Sequence, residues 1–345
     1  MSSETIYVNH KSGIPLFGID FLGIIDRGTN VIEVKPLTLC NLKCKYCFVS
    51  AGDYNTNFII DPEYLLEKIE DVVEAKGRYK IEIHFAPYGE ILLYPNLMHL
   101  IKELWKIKGI KTISMQSNGL LLNKEVINKL EDVGLSRINL SLNTLNREKA
   151  KFFSGCENYN IANITKSILH LLDTKIKVLI APVWFPGEND DDIEDIIKYI
   201  IDLRNKGYSE KKLQIGIQKY LIYKTGRKLK KIRPKSWDYF YNQLSTLEKR
   251  YLIKLKLGPI DFGIHKRITV ASLNVKKNDL VRLQIVSKGR WKKEYIGKID
   301  NNYGLKVLLN RPIQNIELLI GKDIEAKIIK ANYKDNILTA ATWLQ

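Results

Sequence analysis

Between about residues 32 and 220 this chain alternates short apolar runs with amphipathic helical text six times. The apolar runs are Val31–Leu37, Ile81–Ala86, Lys111–Gln116, Arg137–Leu142, Lys175–Val183 and Leu213–Tyr220. The first intervening helix opens with Asp61 as cap, Pro62 in its first turn and Glu63 as an early acid, and it closes at Gly77. Further helices are expected from about Pro95 to Lys106, from after Asn123 to Gly134, through Leu172, over Asp190–Asn205 and over Ser236–Tyr251. No hairpin signal separates the first five strands. Such strands need crossover helices, so the pattern predicts a parallel sheet with helices outside, either doubly wound or a partial (β/α)6 TIM-like barrel.

Past Gly258-Pro259 and Gly263 the rhythm changes. Strands follow in quick succession, with period-two stretches at Leu280–Val286 and Glu325–Ala331 and polar turns at Asn301-Asn302 and Asp335-Asn336. That text predicts a small all-β barrel of about five strands, OB-like in kind. The expected parts are an extension over residues 1–30, an α/β core with a basic segment and helix over 31–257, and the β-barrel over 258–345. No apolar run is long enough to span a bilayer, and the opening residues, from Met1-Ser2, are polar, so a cytoplasmic protein is expected.

Three of the four cysteines fall in one stretch, Cys40-Asn41-Leu42-Lys43-Cys44-Lys45-Tyr46-Cys47, directly after the first strand. A disulfide framework would spread its cysteines through a small secreted chain, so the grouping indicates a metal or cluster. Three thiolates on one tight loop can each take a different iron of a cubane and leave the fourth iron open. An open iron can chelate the amino and carboxylate groups of S-adenosylmethionine (SAM). A zinc knuckle completed by His84 or a distant cysteine is the competing use of the same thiols. Cys156 is expected to be a small buried residue after a helix.

These residues resemble the radical SAM superfamily over roughly residues 31–225, including an aromatic residue, Tyr46, before the third cysteine. The resemblance implies that Cys40, Cys44 and Cys47 hold a [4Fe–4S] cluster and that SAM is the second cofactor. It implies a role in holding the SAM amino group for Gly89 and Glu90 of Pro87-Tyr88-Gly89-Glu90, where Tyr88 replaces the family's first glycine. It places polar SAM contacts at Ser117 and Asn118, ribose and carboxylate contacts at Ser141 and Asn143, and adenine packing near Val183. All fall at C-terminal ends of expected strands, where parallel barrels collect their chemistry. A ferredoxin or flavodoxin is the expected electron donor.

Charge is unevenly distributed. Residues 1–200 carry 23 Lys and Arg against 26 Asp and Glu, while residues 201–345 carry 32 against 12. Residues 218–237 hold eight cations and no acid, with Tyr220, Tyr223 and Trp237 interleaved. Cations can neutralise phosphates while aromatic faces stack on unpaired bases. The candidate nucleic-acid contacts here are Lys219, Lys224, Arg227, Lys228, Lys230, Lys231 and Arg233. Arg290, Trp291, Lys292 and Lys293 form a second group within the β-rich text. Residues 268–341 resemble the TRAM domain, a β-barrel RNA-binding module, through Asp279–Val286, Tyr295–Ile299, Leu305–Leu309 and Gly321–Lys330.

The resulting expectation is a radical SAM enzyme that modifies an RNA, tRNA or rRNA. The alternatives are a radical SAM enzyme acting on a protein or small metabolite, and a non-enzymatic RNA-binding protein with a metal knuckle. Methylthiolation with a second three-cysteine cluster is not expected, because only Cys156 remains once the first cluster is built.

Overall fold

The structure, a computed structural model, describes residues 3–270, 273–300, 303–310, 319–332 and 337–342. The expected turns Asn301-Asn302 and Asp335-Asn336, like Met1-Ser2, lie outside the described residues. In chain order the first strands are β1 (Glu4–Val8), β2 (Gly23–Asp26), β3 (Val31–Lys35), β4 (Thr56–Ile60), β5 (Ile81–Phe85) and β6 (Ile110–Ser117). They are followed by β7 (Arg137–Leu140), β8 (Lys177–Ile180), β9 (Val183–Trp184), β10 (Leu213–Ile215) and β11 (Gln218–Lys219). The helices are α1 (Pro62–Ala75), α2 (Leu97–Leu104), α3 (Lys124–Asp132), α4 (Arg147–Ser154), α5 (Ile161–Leu172), α6 (Asp190–Asn205) and α7 (Trp237–Tyr251). Five further strands close the series: β12 (Leu280–Lys288), β13 (Glu294–Ile299), β14 (Tyr303–Leu309), β15 (Asp323–Asn332) and β16 (Ile337–Thr342).

Local chemistry sets the boundaries. Asp61 accepts from the backbone N–H of Glu63 and Tyr64, Asn123 caps α3, and Ser236 caps α7. Such caps each contribute about 1 kcal/mol. The helical text before Leu172 is two helices, because Gly155 takes the left-handed conformation at the end of α4 (φ 61°). The fifth and sixth expected strands are also broken, into β8 with β9 and β10 with β11.

The chain divides into two compact units. The first comprises residues 1–39, 53–111 and 264–345. Within it β3 pairs parallel with β5 and antiparallel with β2, and β1 pairs parallel with β4. Strands β12 to β16 form a closed barrel in the order β12-β13-β14-β16-β15, around Ile285, Leu305, Val307, Ile328 and Ala340. Gly18 lies against β14 so closely that a Cβ would sit 2.1 Å from the Gly304 carbonyl oxygen. Lys76, fully buried, pairs with Asp26 at 2.7 Å and donates to the carbonyls of Thr29 and Ile268. Asp26 in turn accepts from Val270 N–H at 2.7 Å. The segment leading into the barrel is thus held by a buried ion pair, and breaking one such pair costs about 3–5 kcal/mol.

The second unit comprises residues 40–52 and 112–263. Its strands run parallel in the order β6-β7-β8-β10, and β9 pairs parallel with β11. Side chains alternate across these strands. Ile113, Met115, Ile138 and Leu140 are buried on one face, while Ser114, Gln116, Arg137 and Asn139 share the other. Arg137 reaches Ser114 Oγ at 3.3 Å and Asn139 Oδ1 at 3.2 Å, so this second face is polar and hydrogen-bonded.

Candidate active site

The cysteine loop, residues 40–52, leaves β3 and is clamped from two sides within the second unit. On one side Lys43 N–H donates to Ser154 O at 3.1 Å and Lys45 N–H to Phe153 O at 2.9 Å. Gly155 must be glycine there, since a Cβ would sit 2.4 Å from Lys43 O at a positive φ. On the other side Arg227 donates through Nε to Cys44 O at 2.7 Å, through Nη2 to Ala51 O at 2.8 Å and through its backbone N–H to Cys47 O at 2.8 Å. Ser50 Oγ donates to Thr225 O at 2.9 Å.

None of the three loop cysteines is in a disulfide, and all three are half-buried. Burial pushes the Cys44 thiol up to about 12, and the neighbouring Cys47 and Cys40 push the same way against the opposing pull of Arg227. Ala51 N–H points at Cys47 Sγ, 3.3 Å away, a bond of the kind that tunes iron–sulfur clusters. Among the described residues no three His, Cys, Asp or Glu side chains gather round a single ion. Three thiols on one loop are the donor set of a cubane, which takes each thiolate on a separate iron and leaves the fourth iron open.

Tyr46 is the hub of the surrounding packing. Its ring lies 4.7 Å from Phe185 and 6.5 Å from Phe153, beside the buried Tyr220 and Leu229. Its hydroxyl bonds the Asn143 amide, whose Oδ1 accepts from Val183 N–H at 2.7 Å. Burial raises the Tyr46 pKa, so the phenol stays neutral. Asn189, fully buried and not singled out from the sequence, donates to Asn143 O and Val183 O and accepts from Phe185 N–H. Tyr46, Asn143 and Val183 are therefore brought together. Asn143 is committed to Tyr46 and Val183 and acts here as a positioner.

At the end of β6, Ser117 Oγ accepts from Gly119 N–H, and Asn118 Oδ1 accepts from Leu120 N–H. Asn118 Nδ2 donates to Asn41 Oδ1 at 2.8 Å, tying β6 to the cysteine loop. Tyr159, also missed, donates to the carbonyls of Asn118 (3.0 Å) and Ser141 (3.4 Å) and so joins two strand ends. Cys156 is half-buried rather than buried as expected.

Gly89 and Glu90 belong to the first unit. A Cβ on Gly89 would lie 2.1 Å from Leu39 O, so this position has no room for a side chain. Glu90 is buried, donates its N–H to Leu39 O at 2.7 Å and accepts from Leu92 N–H at 3.1 Å. The Tyr88 ring takes the Lys35 ammonium at 4.5 Å, so the residue in the missing glycine's place is a cation partner.

The cationic residues separate into groups. Lys224, Lys228, Lys230, Lys231 and Arg233 are exposed, and Lys219 sits over the Trp237 ring at 4.8 Å. Arg227 is corrected: its guanidinium is committed to the cysteine loop. Arg290 is corrected as well. It is only 3% exposed, is paired with Glu294 through two nitrogens at 3.0 and 3.1 Å, and lies 4.2 Å from the Phe21 ring. Burial alone would lower its pKa, but Glu294 and Asp20 raise it, so its charge is spent internally. Trp291 packs edge-on against Tyr54 at 5.2 Å, whereas Lys292 and Lys293 are exposed.

Comparison with known proteins agrees with this geometry. The family model "Radical SAM superfamily" matches residues 34–200. An uncharacterized protein of Methanocaldococcus jannaschii, MJ0103, is 35% identical over 98% of this chain and 80% of its own length. A GTP 3',8-cyclase of Aquifex aeolicus is 30% identical over 52% of this chain, which spans 55% of that relative. Streptococcus suis SuiB shares the fold with a TM-score of 0.50 at 18% identity, over 70% of this chain and 48% of its own. The chain belongs to the radical SAM superfamily. It is an enzyme with a partial TIM-like α/β domain followed by a small five-stranded β-barrel, and its cofactors are a [4Fe–4S] cluster and SAM. The non-enzymatic metal-knuckle reading is thereby removed. When bound, the cluster supplies an electron that cleaves SAM to a 5′-deoxyadenosyl radical, so the enzyme needs an electron donor. Among the described residues no helix is long and apolar enough to cross a membrane.

Proposed function

We propose that this radical SAM enzyme acts on an RNA, tRNA or rRNA, held beside the cluster loop. The observation that carries this reading is Arg227: from within the cationic segment it bonds Cys44 O and Ala51 O. The exposed Lys224, Lys228, Lys230 and Lys231 flank that anchor in sequence. Phe48, next to Cys47, is 46% exposed and lies 5.6 Å from Tyr223, and Trp237 is 52% exposed. Cations for phosphates and partly exposed aromatic rings for bases suit single-stranded nucleic acid. In this reading the small β-barrel is a TRAM-like docking module presenting Lys292 and Lys293. Cys40, Cys44 and Cys47 hold the cluster, Glu90 takes the SAM ammonium, and Ser117, Asn118 and Ser141 supply polar contacts.

The test is 5′-deoxyadenosine release by cluster-loaded protein with SAM and a reductant, with and without bulk tRNA and rRNA. Strong stimulation by RNA supports the reading, and release that ignores RNA sinks it. The similarity to GTP 3',8-cyclases favours one second reading, a free nucleotide as substrate. A parallel reaction with GTP separates the two.

A further inference from the structure

Asn41, between the first two cysteines, has a side chain oriented by a chain of hydrogen bonds. Leu120 N–H donates to Asn118 Oδ1 at 2.9 Å, so the other end of the Asn118 amide is its donor. That Nδ2 donates to Asn41 at 2.8 Å, so the atom it meets on Asn41 is Oδ1. Asn41 Nδ2 is then left buried with two N–H groups and no acceptor among the described residues. Leaving such a donor unpaired costs the full desolvation of the group. An aspartate at this position would keep the Oδ1 acceptor that Asn118 needs and carry no orphaned donor, so an acceptor that arrives with the cofactors accounts for the asparagine.

We propose that Asn41 is a positioning residue that donates a hydrogen bond from Nδ2 to an anionic acceptor of the cluster–SAM assembly. The shared chemistry is a negatively charged acceptor. Two sources supply it, a sulfide of the cluster and the carboxylate of SAM. The inference rests on the radical SAM chemistry of the family and is independent of the RNA proposal.

Asn41→Asp keeps Oδ1 for Asn118 and removes both donors, so it isolates the proposed bond. It is compared with wild type in cluster-loaded full-length protein by iron content, by the cluster's midpoint potential without SAM, and by SAM affinity. A sulfide acceptor predicts a more negative potential with unchanged SAM affinity, since hydrogen bonds to sulfur raise cluster potentials. A carboxylate acceptor predicts SAM binding weakened about tenfold to a hundredfold at unchanged potential. Because the aspartate adds charge, Asn41→Ala is measured beside it. Iron lost from the aspartate variant and kept in the alanine variant also supports an anion facing Nδ2. Full iron with unchanged potential and SAM affinity in both variants overturns the proposal. Iron lost from both overturns it in favour of a purely structural Asn41–Asn118 link. Wild-type protein that loads iron but fails to bind SAM would instead count against the SAM assignment itself.

Discussion

Arg227 Nε lies 2.7 Å from the carbonyl oxygen of Cys44, and its Nη2 lies 2.8 Å from that of Ala51. One side chain, 183 residues downstream of Cys44, thus spans the second half of the cysteine loop. Replacing it with alanine removes two charge-assisted bonds, each contributing about 1.5–3 kcal/mol. Arg227→Ala should therefore lower the iron retained per chain and expose residues 40–52 to proteolysis. Arg227→Lys should rescue only part of the loss, because an ammonium lacks the planar fork that meets two carbonyls.

Gly155 and Gly187 both hold positive φ, 61° and 83°, but only Gly155 abuts another segment. Gly187→Ala should cost about 1–2 kcal/mol from backbone conformation alone. Gly155→Ala should cost that and a further ~1–3 kcal/mol, since the new Cβ must displace Lys43. Urea unfolding of both variants measures the difference, and iron content should fall only for Gly155→Ala.

The pairing of Arg290 with Glu294 gives a third expectation. Glu294→Ala leaves a buried guanidinium without its carboxylate, so stability should fall by about 3–5 kcal/mol. Arg290→Ala should likewise lower the melting temperature while leaving the salt dependence of RNA binding unchanged.

If RNA is the substrate, Lys228→Ala, Lys230→Ala and Lys231→Ala should each weaken RNA binding. The slope of log affinity against log salt should drop by about 0.7–1 for each phosphate that is no longer neutralised. Melting temperatures should stay unchanged, because all three side chains are exposed. Filter binding across a salt series checks the affinity and its slope, and thermal melts check the stability.

Glu33 gives a pH dependence. Burial alone would raise its carboxyl, but Lys35 at 2.5 Å and Arg27 at 2.8 Å hold it down to about 2, against an ordinary 4.5. A depressed carboxylate contributes stability above its unfolded pKa and loses it as pH falls through the folded one. The loss should run from about pH 5 down to about pH 2 and amount to at most ~3 kcal/mol. Burial also depresses the Lys35 ammonium, so the pair's net contribution is smaller than the Glu33 shift by itself. Denaturation of Glu33→Gln across this range should show a flatter acid limb.

Local signals were legible and distant ones were not. Helix α6 runs over Asp190–Asn205 as its periodicity predicts, and Asp61, Asn123 and Ser236 begin their helices as expected. The cysteine spacing and Tyr46 carry the cofactor site in one eight-residue stretch. Strands β1 and β2 escaped notice because their neighbours in space, β4 and β3, give them meaning only after folding. Arg227 and Arg290 look alike in sequence, each set in a run of cations. Glu294, four residues after Arg290, was the available hint that one of them folds inward. Nothing near Arg227 signals its carbonyl partners, because backbone oxygens have no residue type.

The buried ion pair of Asp26 and Lys76 has a consequence for biosynthesis. Both residues emerge from the ribosome long before Ile268 and Val270, whose backbone groups complete their hydrogen bonding. Until residues 264–345 are made, the first unit lacks its barrel and cannot close around these charges. The nascent chain must therefore wait, half-assembled, through most of its translation. Dependence on chaperones during that interval follows from long-range closure, and slowing elongation over residues 111–263 should lengthen the vulnerable period.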